Sequence, residues 1–403
     1  MNKSAFFYAT FPRPTETFVR RELRGLDKLG LDPDLYSIWK GHQIWEGKRI
    51  HLFPFWSILT LLFWIPYWAW RKPKAFRLIL SYLWAHPCPN LQNWNETFLG
   101  LACALAQAKK IKQQKYRGIH AVWATMPATT VLGCHFLIDV PFSMGAHAYD
   151  VFRDGGDWLL PLKLSRASFV RTSSESTAIR LRKLGVGNEK LCLIHRSLKA
   201  TTLCDSMELA NPSFLSLLSV GRLVEKKGYF LLLEILNEMK RRLIPFQMNI
   251  IGGGPLQNSL EREVHRLNLE NHVFLLDHLN ETAIDKFYQT SDAFLFTGIV
   301  CENGDRDGIP NVIPEAMSHG LFVISSNQAG GSEAFIDGES GYSLDPHQKE
   351  PWVDILHQFY QHPAEFTSMR KSAWMRAQSM FSSKENCQKL KNVFCSLFGC
   401  YET

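Results

Sequence analysis

Five short apolar runs in the second half of the chain, 214–220, 247–251, 273–276, 293–296 and 322–324, are each followed by a stretch of helical character. Runs this short, rich in branched and aromatic residues and separated by one helix, build a parallel sheet, because parallel neighbours need a crossover connection. The first half repeats the theme less regularly. Apolar runs at 4–9, 120–124, 141–146, 168–172 and 190–195 read as strands, and a helix carries Phe18, Val19, Leu23, Leu26 and Leu29 before Gly30. At 403 residues there is chain enough for two such cores. The expected class is α/β with two Rossmann-like domains, 1–197 and 213–380, joined through 198–213.

Charge is divided between the halves. Residues 1–200 hold 28 Lys and Arg against 13 Asp and Glu, whereas residues 201–403 hold 17 against 25. A basic half joined to an acidic half argues against a uniform nucleic-acid coat; it fits one domain resting on an anionic surface, with membrane phospholipid the leading candidate, or solvated faces without a partner. Residues 52–70 carry no charge, contain four Trp with Pro54 and Pro66, and run into Arg71-Lys72-Pro73-Lys74. Segment 52–74 is open to three readings: an interfacial anchor, core helices, or a span at the lower limit of length. The nine Cys form no C-x-x-C pair, which suits reduced thiols and a cytoplasmic chain. No signal peptide is expected, since the first strand begins at once.

The stretch Gly304-Asp305-Arg306-Asp307-Gly308-Ile309-Pro310-Asn311-Val312-Ile313-Pro314-Glu315 concentrates the chemistry. A turn entering a helix leaves the N–H groups of Gly308, Ile309 and Asn311 free to face an anion, while Pro310 has none. Asp307 and Glu315 flank that row with seven residues between them, as hydroxyls flank the phosphates of a nucleotide sugar. The segment resembles the E-x7-E signature of family-4 retaining glycosyltransferases, with Asp307 in place of the first Glu. Three further stretches extend the resemblance. Gly221-Arg222-Leu223-Val224-Glu225-Lys226-Lys227-Gly228 is similar to the family's G-R-L-x-x-x-K-G loop. Asp337-Gly338-Glu339-Ser340-Gly341-Tyr342 is similar to its D-G-x-x-G-[FY] turn. Pro12-Arg13-Pro14-Thr15-Glu16-Thr17-Phe18 matches the opening turn of exopolysaccharide and colanic-acid members.

The resemblance implies a GT-B fold, with the domains facing across a cleft and a final helix in 381–403 returning to the first. It implies transfer of a hexose, with retention, from a nucleotide-diphosphate sugar to a lipid-linked glycan acceptor in surface or exopolysaccharide assembly at the inner membrane face. Arg222 and Lys227 would hold the donor diphosphate, which metal-free transfer requires. Glu315 would take the ribose hydroxyls and Asp307 a sugar hydroxyl. Gly308, Ile309 and Asn311 would line the phosphates. Glu16 lies in a loop near donor or acceptor, with helix capping by Thr15 and Glu16 as its plain alternative. His147, in His147-Ala148-Tyr149-Asp150, matches the family's H-[AG]-x-D and would sit beside the reacting sugar.

Some features depart from that picture. The turn His195-Arg196-Ser197-Leu198-Lys199 stands where the family has an N-G-V-D-like sequence. That departure and Asp307 keep open a degenerate scaffold that binds nucleotide sugar without turnover, and an epimerase shares the architecture. Gly252-Gly253-Gly254-Pro255 lacks the spacing of a dinucleotide fingerprint. Asp305-Arg306-Asp307 is formally a D-x-D metal pattern, but no metal or other cofactor is expected.

Overall fold

The computed structural model describes residues 3–13, 16–198 and 213–399. The chain divides into two compact units, one formed by residues up to Ser197 together with those from Ser383 onward, the other by Leu198–Ser382. The expected linker 198–213, apart from its two ends, and the expected capping residue Thr15 lie outside the described residues.

The first unit is built on eight strands: β1 (Ser4–Phe11), β2 (Asp34–Gly41), β3 (Ile44–Trp45), β4 (Lys48–Leu52), β5 (Gly118–Ala121), β6 (Phe142–Gly145), β7 (Val170–Thr172) and β8 (Leu191–Leu193). Their order is β3-β4-β2-β1-β5-β6-β7-β8, parallel throughout except for the β3–β4 pair. Sequence reading did not identify β2 to β4. Trp39 and Lys40 in β2 are exposed and β3 has two residues, so the edge lacks the unbroken apolar run of a central strand. The second unit holds β9 (Leu215–Val220), β10 (Phe246–Ile251), β11 (Val273–Leu276), β12 (Ala293–Phe296), β13 (Phe322–Ser326) and β14 (Tyr342–Leu344) in the order β11-β10-β9-β12-β13-β14, all parallel. Both sheets bury apolar side chains against helices, as parallel strands joined by helical crossovers must.

The helix Ser383–Phe398 packs on the first unit, where Phe394 lies between His120 and Phe169 at centroid distances of 5.0 and 5.3 Å. Gly118 tolerates no side chain because a Cβ there would enter the Phe398 ring.

Segment 52–74 forms no continuous helix. A 3-10 turn, Phe55–Thr60, leads into the helix Leu61–Arg71, and a second helix, Pro73–Ala85, follows after Lys72. Pro73 ends the first helix by removing a donor and restricting the residue before it. No helix among the described residues is long and apolar enough to cross a membrane. Trp68 is buried and its indole N–H donates to Leu105 O at 2.9 Å, fixing one face of the pair to the helix Leu91–Gln113. The opposite side stays open to solvent, with Leu62 88% and Trp84 92% exposed.

Candidate active site

In the second unit, the site is set by loops leaving the carboxyl ends of β9, β10 and β12, the edge at which open α/β sheets bind ligands. After β9 the backbone passes Gly221 and Arg222, makes a 3-10 turn at Glu225–Lys227, and enters the helix Tyr229–Arg241 through Gly228. Gly228 has φ +67°, and a Cβ there would strike Thr297 O. The Thr297 hydroxyl donates to Gly228 O at 2.9 Å, and the Tyr229 hydroxyl donates to Gly221 O at 3.1 Å. The glycine run after β10 serves close packing. Gly254 allows Leu223 N and O within a Cβ's reach, and Leu223 N–H donates to Gly253 O at 3.1 Å.

The acid-pair loop follows β12 and folds onto this turn. Lys227 Nζ lies 2.6 Å from Asp307 Oδ2, and Lys226 Nζ lies 3.0 Å from Asp305 Oδ1 and 3.4 Å from Asp307 Oδ1. Burial pushes the Asp307 carboxyl up, but the two ammonium groups, Lys227 ahead of Lys226, outweigh it and hold the group below the ordinary carboxylate range. Lys227 Nζ also sits 5.0 Å from the centre of the Phe296 ring. Gly330 N–H donates to Asp307 O at 3.2 Å, bracing the loop from the turn after β13.

Glu315 lies in the short helix Val312–Ser318, where Tyr288 donates to its Oε2 at 3.3 Å. The Tyr288 ring stacks on His319, which bonds Glu315 O through Nδ1 at 2.8 Å. The N–H groups of Gly308, Ile309 and Asn311 donate to no backbone acceptor among the described residues. Arg222 is exposed and forms no ion pair among the described residues. The structure therefore joins Lys227 to Asp307, places Glu315 one helix turn beyond the free N–H row, and leaves Arg222 at the rim of the loop.

His147 and Glu16 belong to the first unit. His147 follows β6 and is 4% exposed. Burial, then the charges of Arg196 and Arg171, holds its imidazole well below its usual pKa, so it is neutral near pH 7. Asp150 fixes the turn by accepting the N–H groups of His147 at 3.1 Å, Ala148 at 2.8 Å and Ala124 at 3.2 Å. Trp123 meets the His147 ring edge-on at 5.3 Å. Glu16 precedes the helix Thr17–Lys28, makes no side-chain capping bond, and lies 3.5 Å from Arg13.

Sequence reasoning passed over Lys226, Tyr288 and a buried ionic group comprising Glu22, Arg171 and Arg196. The doubled lysine was visible, but two adjacent Lys give no sign of which one turns inward. The buried group joins residues 149 positions apart, so no local pattern announces it.

Residues 208–375 match the family model described as glycosyl transferases group 1. The chain is 26% identical over 390 residues to the putative colanic acid biosynthesis glycosyltransferase WcaL of Salmonella typhimurium, covering 89% of this chain and 90% of that protein. It is 28% identical over 236 residues to the amylovoran biosynthesis glycosyltransferase AmsK of Erwinia amylovora, covering 58% of this chain and 55% of that protein. Among solved structures, Anabaena Alr3699/HepE in complex with UDP-glucose superposes with a TM-score of 0.70 at 15% identity, covering 98% of this chain and 99% of that one. The lipopolysaccharide outer core galactosyltransferase WaaB superposes with a TM-score of 0.68 at 14% identity, covering 98% and 99%. At these identities the structural likeness speaks to fold. The chain has the GT-B fold, and its residues 208–375 match the glycosyl transferases group 1 model.

Proposed function

We propose that the protein transfers a hexose, with retention, from a nucleotide-diphosphate sugar to a lipid-linked glycan during surface or exopolysaccharide assembly. The observation that carries this reading is the junction of the Lys226-Lys227 turn with the acid-pair loop. There, two ammonium groups and the free N–H groups of Gly308, Ile309 and Asn311 offer positive charge to a leaving diphosphate. Arg222, exposed on the same turn, adds a planar fork suited to phosphate. Glu315, oriented by Tyr288, accepts ribose hydroxyls. Asp307 reaches a sugar hydroxyl while Lys227 keeps it ionised. Neutral His147 is a hydrogen-bond donor for the reacting sugar.

The acids of the D-x-D sequence are engaged by lysines, which favours charge neutralisation by side chains over a divalent ion. The names of WcaL and AmsK place those relatives in colanic acid and amylovoran biosynthesis, and HepE binds UDP-glucose. The aromatic, basic segment running from Phe55 to Ala85 supports peripheral contact with the inner membrane face, where a lipid-linked acceptor resides. Donor turnover measured as released nucleoside diphosphate tests the reading. Lys227→Ala and Glu315→Ala should each reduce it at least about a hundredfold while the protein stays folded, a loss of the size seen when a charge-stabilising group is removed. Full turnover in either variant rejects the assignment.

A further inference from the structure

Arg196 is a buried cation whose hydrogen-bonding capacity goes unused among the described residues. It follows β8 and is 5% exposed, and neither Nη1 nor Nη2 has a hydrogen-bond partner among the described residues. The nearby carboxylate of Glu22 is held more closely by Arg171 than by Arg196, although its Oε2 has no hydrogen-bond partner of its own among the described residues. Arg171 places Nη1 2.6 Å from Oε1 and Nη2 2.6 Å from Oε2, whereas Arg196 Nη1 stands 3.8 Å from Oε2. Two guanidinium groups thus share one carboxylate. A native interior rarely leaves such a group unsatisfied without a functional reason.

The surroundings are those of a binding position. Phe18 and Trp123 cover the guanidinium, at 4.5 and 5.5 Å from Cζ to the ring centroids. Both rings are only partly buried, so Arg196 lies one side chain beneath the surface. Phe18 follows β1, Trp123 follows β5, His147 follows β6 and Arg196 follows β8, so all four stand at the carboxyl edge of the first unit's sheet. Other charged groups near Arg196 do not replace the missing partner. Glu16 pairs with Arg13 at 3.5 Å, Asp150 is occupied by three backbone N–H groups, and His147 and His120 are kept neutral by burial and then by the two arginines.

We infer that Arg196 is a binding residue for an anionic group of the substrate carried by the first unit, a phosphate or a sugar carboxylate, gripped by Nη1 and Nη2 as a planar fork beside Trp123. This deepens the glycosyl-transfer reading by naming the acceptor as acidic and rests on that reading only for the word acceptor. Burial explains why the position needs Arg. Its guanidinium, pushed down only to about 10 by burial and by Arg171, stays charged where a lysine would readily lose its proton.

The test is calorimetric titration of the full-length protein with inorganic phosphate, with glucuronate, and with neutral glucose as control. It uses wild type, Arg196→Met, Arg196→Lys and an Arg222→Ala/Lys227→Ala double variant, whose folding is checked by thermal melting. The expected result is binding of one anion that Arg196→Met weakens at least about tenfold, Arg196→Lys weakens less, and the double variant retains. Phosphate alone would point to a phosphorylated or lipid-phosphate acceptor, and glucuronate alone to a uronic acid. Equal binding by wild type and Arg196→Met, loss in the double variant instead, or no binding of either anion overturns the inference. If Arg196→Met does not fold, unchanged affinity in Arg196→Lys overturns it, since an amine cannot reproduce the fork. None of these readouts requires turnover, so a failed transfer assay and a failed anion site are separate results.

Discussion

Lys227 Nζ and Asp307 Oδ2 lie 2.6 Å apart, linking the turn after β9 to the loop after β12. The two loops approach from different strands of one sheet, and the pair fixes their separation where a donor diphosphate would lie. The Asp307 carboxylate holds the Lys227 ammonium in place before any ligand arrives.

That pairing makes stability depend on acid. The folded-state pKa of Asp307 is lowered, so its contribution is complete above the unfolded carboxylate value of about 4 and is lost as pH falls through the lower folded value. Urea midpoints measured from pH 5 down to pH 2 should therefore fall more steeply for wild type than for Asp307→Asn. Parallel curves would show that the pair contributes nothing.

Gly228→Ala should destabilise the second unit by about 2 kcal/mol or more, combining an unfavourable left-handed backbone with a clash against Thr297 O. Denaturant unfolding reads the change directly. A variant as stable as wild type would mean that the turn can move without cost.

In the first unit, Glu22→Gln leaves Arg171 and Arg196 buried without a countercharge. Losing one partner from a buried ionic group costs about 3 to 5 kcal/mol. The melting temperature should fall by several degrees. Arg171 and Arg196 outweigh burial in lowering the folded pKa of Glu22, so the wild-type advantage should likewise vanish in strong acid.

The exposed side of the two helices after β4 predicts adsorption to bilayers. Leu62→Glu with Trp84→Glu should weaken co-sedimentation with phosphatidylglycerol vesicles at least about tenfold, because each large apolar side chain withdrawn from water contributes about 1.5 to 3 kcal/mol. Arg71, Lys72, Lys74 and Arg77 add attraction that neutral phosphatidylcholine lacks, so wild type should bind the anionic vesicles more tightly and lose the difference in high salt. Equal recovery of the two proteins with vesicles would remove the membrane from the picture.

The central strands were legible because a parallel strand buried on both faces must be apolar along its length, as Ala293–Phe296 and Val273–Leu276 are. Asp34–Gly41 lies inside the sheet between β1 and β4, but with Trp39 and Lys40 exposed toward its end it lacks such a run and could not be read. The same contrast holds in the candidate site. Asp307, Glu315 and Lys227 stand in contiguous motifs and can be nominated from their neighbours. Tyr288 reaches Glu315 from 27 positions away, and Arg196 gains meaning only once Arg171 is seen to hold Glu22. Segment 52–74 was ambiguous for a different reason. Its composition suits lipid and protein interiors alike, and only the break at Lys72-Pro73 and the burial of Trp68 show which side chains face the protein.

The helix Ser383–Phe398 supplies Phe394 to a core otherwise made by residues encoded some 200 positions earlier or more. During synthesis the amino-terminal half must therefore wait, with the Phe6, His120 and Phe169 surface uncovered, until the residues up to Phe398 have left the ribosome. A chain ending prematurely at about residue 382 would thus deliver a sound second half beside an aggregation-prone first one.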